Sequence, residues 1–489
     1  MIPLIFEKSV PGRRAVTLPR LSPAELEAPL ELPEGVLAEM PPDLPEVSEL
    51  DVIRHFTALS QQNFSVDTNF YPLGSCTMKY NPRICEKVAA LEGFAGLHPL
   101  LPQLRCGETL AQGALEVLWQ TERLLCELTG MNAFTLQPMA GAHGELTGML
   151  LIAAYHRANG EKREKVLIPD SAHGTNPASA SMAGFKVVTV ATDAEGNVDI
   201  ADFKSKLDSD TAAVMLTCPN TLGIFERGIR EIADLSHDNG TLLYYDGANM
   251  NALMGRARPG DLGFDVVHLN VHKTLSTPHG GGGPGAGPVG VTAALEPFLP
   301  IAIVDKHDDG TFALNYDRPR SIGCIAPFYG NFAVLARAFA YMLLLGGDGL
   351  RQATDHAVLN ANYLRVKLQD DYEIPYNRVC MHEVLLSANR QMKLSGVRAL
   401  DIAKALIDAG HHPPTVYFPL IVHEALMIEP TETESKETLD AFIADMIRIA
   451  RLAQSDPEVF KTMPEETRVS RPDETKAARE MKLAMIQDG

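Results

Sequence analysis

Residues 241–273 read TLLYYDGANMNALMGRARPGDLGFDVVHLNVHK, two short apolar runs that each lead to an ionisable side chain. The first run stops at Asp246, and the second is followed almost at once by Lys273. Runs this short and this continuously apolar fit strands buried on both faces, and such strands belong to parallel sheets covered by helices. The pattern repeats toward the N-terminus, with KVLIPDS at 165–171, KVVTVAT at 186–192 and AAVMLTCPN at 212–220. Helix-compatible stretches such as IREIADLSHDNG at 229–240 lie between them. The expected fold class is α/β, a doubly wound domain on a mainly parallel sheet.

The chain has 489 residues, 45% hydrophobic and 21% charged, which fits an ordinary globular protein of more than one domain. Its formal net charge of −19 argues against a nucleic-acid partner, which needs a basic face. Seven scattered cysteines with no CxxC pair fit reduced thiols better than a disulfide framework or a zinc site. The N-terminus lacks the pattern of a signal peptide, and no stretch approaches the roughly 18 apolar residues of a membrane span. A cytoplasmic protein without a membrane partner is the expectation. Proline-rich residues 1–47 read as an extended arm, and SELD at 48–51 resembles a capping box opening a helix. Residues 48–330 would form the large domain. Residues 331–489, opening with NFAVLARAFAYMLLLGG and carrying strand-like HEVLLSAN at 382–389 and TVYFPLIV at 415–422, would form a smaller C-terminal α+β domain.

Open parallel sheets bind ligands beyond the carboxyl ends of their strands. Four polar features fall there: Ser171–His173, Asn220, Asp246 and Lys273. Alone, the aspartate reads as a helix cap and the lysine as a solvated side chain. Together they suit pyridoxal 5'-phosphate, whose aldehyde takes a lysine as a Schiff base and whose protonated pyridine nitrogen takes a carboxylate. The phosphate then needs a glycine-lined helix N-terminus, which QPMAGAHGELTGMLLIAAYH at 137–156 supplies through Gly141, Ala142 and Gly144. His143, at the mouth of that turn, reads either as a surface histidine or as an imidazole stacked on the ring. Ala248 is small enough for the opposite ring face, and Asn220 or Thr221 could bond the phenolic oxygen or serve ordinary turn chemistry. His272 and His279 read as proton relays or as hydrogen-bond partners of backbone or phosphate. GSCTMK at 74–79 brings Ser75, Cys76 and Thr77 toward the site, with no nucleophile required of Cys76. The glycines at 280–283 follow the lysine instead of preceding it, the reverse of a P-loop. They read as a tight turn beneath the cofactor or against a partner, or as a flexible loop.

The stretch HLNVHKTLSTPHGGGGPGAGPVGV from 268 resembles the lysine segment of glycine decarboxylase, the P-protein of the glycine cleavage system. FYPLGSCTMKYNP at 70–82, QPMAGAHGELTG at 137–148, DSAHGTNPASA at 170–180 and YYDGANMNA at 244–252 agree in order with that family. So do RPRSIG and FYGNF within 318–332 and YFPLIVHEALMIEPTETESKETLD at 417–440. The resemblance implies the aspartate-aminotransferase-like fold type I of PLP-dependent transferases. It also implies the lysine-bearing subunit 2 of the split form of the enzyme, where other organisms carry one longer chain. Lys273 would be the covalent PLP lysine, Asp246 the partner of the pyridine nitrogen and His143 the stacking residue. The implied reaction is decarboxylation of glycine with transfer of the aminomethyl group to the lipoyl group of H-protein. Implied partners are subunit 1 in a hetero-oligomer and H-protein, with T-protein and L-protein as functional partners. Where the family leads us to expect a basic residue after RPRSIG this chain has Cys324, which would pass an anion-binding role to Arg318 or Arg320. The rival readings are another PLP enzyme, such as a cysteine desulfurase or simple amino-acid decarboxylase, a catalytically silent partner subunit, and a nucleotide-binding protein.

Overall fold

The apolar runs assemble as strands and the amphipathic stretches as helices in a computed structural model that describes residues 2–17, 19, 22–24, 33, 35–36, 43–278, 285–481 and 483. Two units are distinguished, residues 1–68 and residues 69–489. In the first, helix α1 (Glu49–Ser60) opens on the capping box read from the sequence: the Asp51 N–H donates to the Ser48 hydroxyl at 3.2 Å, and the Ser48 N–H donates to the Asp51 carboxylate at 3.3 Å.

The second unit is organised by a seven-stranded sheet. Its strands are β1 (Ala133–Thr135), β2 (Lys165–Pro169), β3 (Lys186–Val190), β4 (Thr211–Thr217), β5 (Leu242–Gly247), β6 (Val266–Leu269) and β7 (Val289–Val291). Their spatial order is β1-β7-β6-β5-β4-β2-β3, parallel throughout except for β7, which runs against both neighbours. Each strand is apolar on both sides because each side has its own core. Tyr244 packs with Met149, Leu151 and Ile152 of helix α3 (Gly141–Ala158), whereas Tyr245, one residue on, joins the core that includes helices α2 (Gln112–Thr129) and α4 (Ile229–Asp238).

Helix α5 (Phe332–Leu368) leaves this core for a second one, and its helical dihedrals are interrupted at Gly346, φ 61° and ψ −177°. Before that break Val334, Leu335, Ala338 and Tyr341 pack on the large sheet; far beyond it Ala361, Leu364 and Leu368 pack on a small antiparallel sheet. By length and composition α5 is apolar enough to cross a membrane; part of its apolar surface fills these two cores, while Leu343, Leu344, Leu359 and Val366 are exposed. The small sheet orders β10 (Val384–Ser387), β12 (Ala425–Ile428) and β11 (Thr415–Val416), after a separate hairpin of β8 (Ile303–Lys306) and β9 (Phe312–Asn315). Of the strand-like TVYFPLIV only Thr415–Val416 is a strand, because Tyr417 turns to φ 58° and Pro419 follows. The central strand Ala425–Ile428 lies beyond that stretch. Helices α6 (Ala399–Asp408) and α7 (Lys436–Ser455) cover this sheet.

Phe442 of α7 is fully buried and sits edge-on to Phe70 at 5.0 Å and to His411 at 5.3 Å. Phe442→Ala is expected to cost about 3–5 kcal/mol through the lost burial and the cavity left behind. The check is the urea midpoint followed by circular dichroism, with the exposed Leu420→Ala as a control that leaves the midpoint in place.

Candidate active site

The parallel registers bring three side chains together at the carboxyl end of the large sheet. Thr217 on β4 is aligned with Asp246 on β5, and Asp246 with His268 on β6. Asp246 is 3% exposed. One carboxylate oxygen accepts from the Ala248 N–H at 3.0 Å and lies 3.3 Å from His268 Nε2; the other accepts from the Thr217 hydroxyl at 3.5 Å. The second ring nitrogen of His268 is 2.7 Å from the Tyr244 hydroxyl. Burial and the nearby Glu145 and Asp246 charges hold the Tyr244 phenol well above its ordinary range, so the phenol keeps its proton and donates to Nδ1. Burial also holds His268 below its ordinary value, which favours a neutral ring, and its Nε2 lies beside Asp246 without meeting hydrogen-bond geometry. Asp246 is thereby an acceptor oriented by two strands.

A cavity of about 220 Å³ opens in front of it, lined by Asp246, Ala248, Asn220, Thr221, His272 and Lys273 from the strand ends and by Gly141 and Ala142 from α3. Lys273 stands in the turn after β6 and donates from Nζ to the Ser75 carbonyl at 2.7 Å. The next residue is pinned from below: buried Lys79 donates to the Thr274 carbonyl at 2.7 Å while pairing with Glu432 at 2.8 Å. The N-terminus of α3 has no side-chain cap, which leaves backbone N–H groups at Gly141 and Ala142 turned to the cavity. Glycine is required there. A side chain at position 141 would overlap the Asn270 carboxamide, and one at 144 would come within 2.6 Å of the Gly287 carbonyl.

Thr175, Glu145, His382 and Glu383, outside the sequence reading, complete the lining together with His173, in the loop after β2, and Ser75, which the sequence brings toward the site. Burial lowers the His173 pKa, the Asp246 charge opposing it. Glu145 accepts from the hydroxyls of Thr175 at 2.8 Å and Ser179 at 3.1 Å, and burial with the charge of Asp246 pushes it up to about 7.

Three expectations change. His143 does not line the cavity: residues 141, 142 and 145 share one helix face, and 143 turns off it, its Nδ1 accepting from the Met139 N–H at 3.3 Å with a further backbone bond at Ile325. The histidine of a strand-end loop that does line the cavity with Asp246 and Lys273 is His173, which DSAHGTNP carried. Asn220 and Thr221 line the cavity but spend their polar atoms on turns. Asn220 donates to the Gly196 carbonyl at 2.7 Å and accepts from the N–H groups of Leu222 and Ile224, and Thr221 donates to the Ser171 carbonyl. The turn-chemistry reading of these two therefore prevails over a bond to the phenolic oxygen. Arg318 and Arg320 are also elsewhere, Arg318 donating to the Glu296 carbonyl and Arg320 lying 4.5 Å over the Phe298 ring. Cys76 lies near Lys273, yet burial pushes its thiol up, the reverse of what a nucleophile needs. His279 and the glycine run at 280–283 lie outside the described residues.

Because the folded-state pKa of Glu145 is about 7 against an ordinary 4.5, its stabilising contribution is whole below the ordinary value and is lost as pH rises to about 7. Glu145→Gln, neutral throughout, should therefore gain melting temperature on the unaltered chain between about pH 5 and pH 8. Thermal melts of cofactor-free protein across that range check this; a difference that stays constant with pH contradicts it.

A family model described as glycine dehydrogenase, C-terminal domain, matches residues 353–465, and one described as aminotransferase class-V matches residues 144–282. A curated relative from Listeria innocua serovar 6a, "Probable glycine dehydrogenase (decarboxylating) subunit 2", is 57% identical over 479 residues, covering 98% of this chain and 97% of its own. A relative of the same name from Bacillus licheniformis is 57% identical over 477 residues, covering 97% of each chain. Among solved structures, an inhibitor-bound glycine decarboxylase (P-protein) of the glycine cleavage system matches with a TM-score of 0.72 at 22% identity, over 88% of this chain and 95% of its own. An apo cysteine desulfurase from Thermococcus onnurineus matches at 0.58 and 17%, over 79% and 95%. These two show the fold, that of PLP-dependent transferases of fold type I.

Proposed function

The chain belongs to the glycine dehydrogenase (decarboxylating) subunit 2 family, and from that premise we propose that it decarboxylates glycine with pyridoxal 5'-phosphate bound covalently at Lys273. The observation that carries this reading is the meeting, in one cavity, of Lys273, a buried aspartate held as an acceptor, and an uncapped helix N-terminus. Each fits one part of the cofactor: Lys273 the aldehyde carbon, Asp246 the pyridine nitrogen, and the N–H groups of Gly141 and Ala142 the phosphate, with His272 beside them. His173 and Ala248 suit the two ring faces, a flat imidazole and a residue small enough to leave room.

When bound, the cofactor supplies the electron sink that the loss of carbon dioxide from glycine needs. The chain's own residues set the conditions for it. Asp246, oriented by Ala248, Thr217 and His268, holds a proton on the ring nitrogen and so keeps positive charge where electrons arrive. Ser75 fixes the position of the Lys273 amine through its carbonyl. Among the described residues no arginine lines the cavity. The reading extends to a lipoyl disulfide on H-protein as acceptor of the aminomethyl group. It further assigns subunit 1 as a partner in a hetero-oligomer, T-protein and L-protein as functional partners, and a cytoplasmic setting. The curated relatives' shared name, subunit 2, supports the first of these partners.

Borohydride reduction of the chain with subunit 1 and PLP should place the label on the Lys273 peptide, read by mass; a label on another lysine overturns the assignment. Asp246→Asn should lower glycine–carbon dioxide exchange by about 10²-fold or more. The two histidines separate cleanly. His173→Ala should alter the absorbance of bound cofactor and weaken its binding, whereas His143→Ala should leave that spectrum in place. The reverse result would restore His143 to the ring.

A further inference from the structure

The small sheet brings a second pair of carboxyl groups together, one of which, Glu383, lines the cavity. Antiparallel pairing of Val384 with Ile428 places Glu383, just before β10, across from Glu429, just after β12. Both are buried, Glu383 at 4% and Glu429 at 0% exposure. Two carboxylates side by side at a dry sheet end repel unless one holds a proton, and unequal surroundings decide which. Glu429 accepts from the Thr77 hydroxyl at 2.7 Å, the Thr77 N–H at 3.2 Å and the side-chain amides of Asn249 at 3.0 Å and Asn251 at 2.9 Å. Glu383 accepts one bond, from the Ser75 N–H at 3.0 Å. Burial and then the charge of Glu429 push Glu383 up to about 8, with the Ser75 bond and Lys273 opposing them. The other groups facing it are Cys76, whose thiol burial keeps protonated, and His382, which burial holds below its ordinary value. Neither supplies a compensating cation.

Ser75 ties this acid to the reacting lysine. Its carbonyl accepts from Lys273 Nζ, its N–H donates to Glu383, and it holds φ at 66°, a left-handed conformation uncommon outside glycine. A proton donor and the Lys273 amine are therefore joined through the single residue Ser75, and both line the cavity.

We propose that Glu383 is a catalytic acid of this site, delivering its carboxyl proton to the sulfur expelled when the substrate carbon attacks the carrier disulfide. The proposal rests on the lipoyl-carrier reading above. In this step the carbon that has lost carbon dioxide forms a bond to one sulfur, and the S–S bond breaks. The electron pair goes to the far sulfur, which takes the proton from Glu383. Carbon is oxidised, the disulfide is reduced, and Glu383 is left as a carboxylate near Lys273 until solvent returns a proton. Without that proton a thiolate would form in a buried site already holding the Glu429 charge.

Glu383→Gln keeps the shape and the acceptor for the Ser75 N–H while removing the proton. In infrared spectra of the cofactor-free chain the protonated-carboxyl band, to which Glu145 also contributes near neutral pH, should hold a component that fades as pH rises through about 8 and is missing in the variant. In the holoenzyme with subunit 1, single-turnover transfer to oxidised lipoyl H-protein should fall about 10²–10⁴-fold in the variant. The wild-type transfer rate should decline as pH rises through about 8, and the variant's should be flat across that range. Identical protonated-carboxyl bands in the two proteins across that pH range, an unchanged transfer rate, or a slowed variant that keeps the wild-type pH decline each overturns the proposal. Wild-type enzyme that ignores the lipoyl carrier overturns the acceptor reading, and this proposal with it; a failure confined to the variant's behaviour overturns the proposal alone.

Discussion

The site depends on the register of three parallel strands. Thr217, Asp246 and His268 are aligned across β4, β5 and β6, so a carboxylate that would be costly to bury alone receives a hydroxyl and a backbone N–H from fixed positions, with an imidazole 3.3 Å away. A slip of one residue in either pairing would turn those side chains to the opposite face. The register is protected by the cores on both faces, in which Tyr244 and Tyr245, successive residues of one strand, are both fully buried on opposite sides. Tyr244 serves both ends of the argument, as core and as the donor that sets the His268 tautomer.

Around that aspartate stand two carboxyl pairs, Asp246 with Glu145, which both line the cavity, and Glu383, which lines it, with Glu429. In the second pair Glu429 collects the better donors, and in each pair one member is pushed toward its neutral form, Glu145 up to about 7 and Glu383 up to about 8. The arrangement keeps net charge in a buried space low while leaving protons available near neutral pH, which suits a reaction that releases a neutral gas from an anion.

Much of this was legible in the sequence because it is local. Short apolar runs ending in Asp246 and before Lys273 state a strand, a turn and a ligand at once, and SELD states its own helix cap. His143 was misleading because proximity to the glycine turn in sequence is not proximity to the cavity on a helix. Its neighbours at 142 and 145 face inward and it does not. His173 carried the stronger signal, a histidine just past a strand end. Glu383 and Glu429 carried none, since their meaning arises when β10 and β12 pair and the Ser75 turn reaches them from a distant part of the chain. Asn220 illustrates the opposite error: a polar residue at a strand end whose side chain is used by its own loop.

The central claim is that Asp246 keeps a proton on the cofactor's ring nitrogen. The most direct measurement is the ¹⁵N chemical shift of pyridine-labelled PLP in the assembled enzyme, recorded across neutral pH. The account predicts a protonated nitrogen in the unaltered protein and an unprotonated one in Asp246→Ala. An unprotonated nitrogen in the unaltered protein, or one that stays protonated after the substitution, would contradict it.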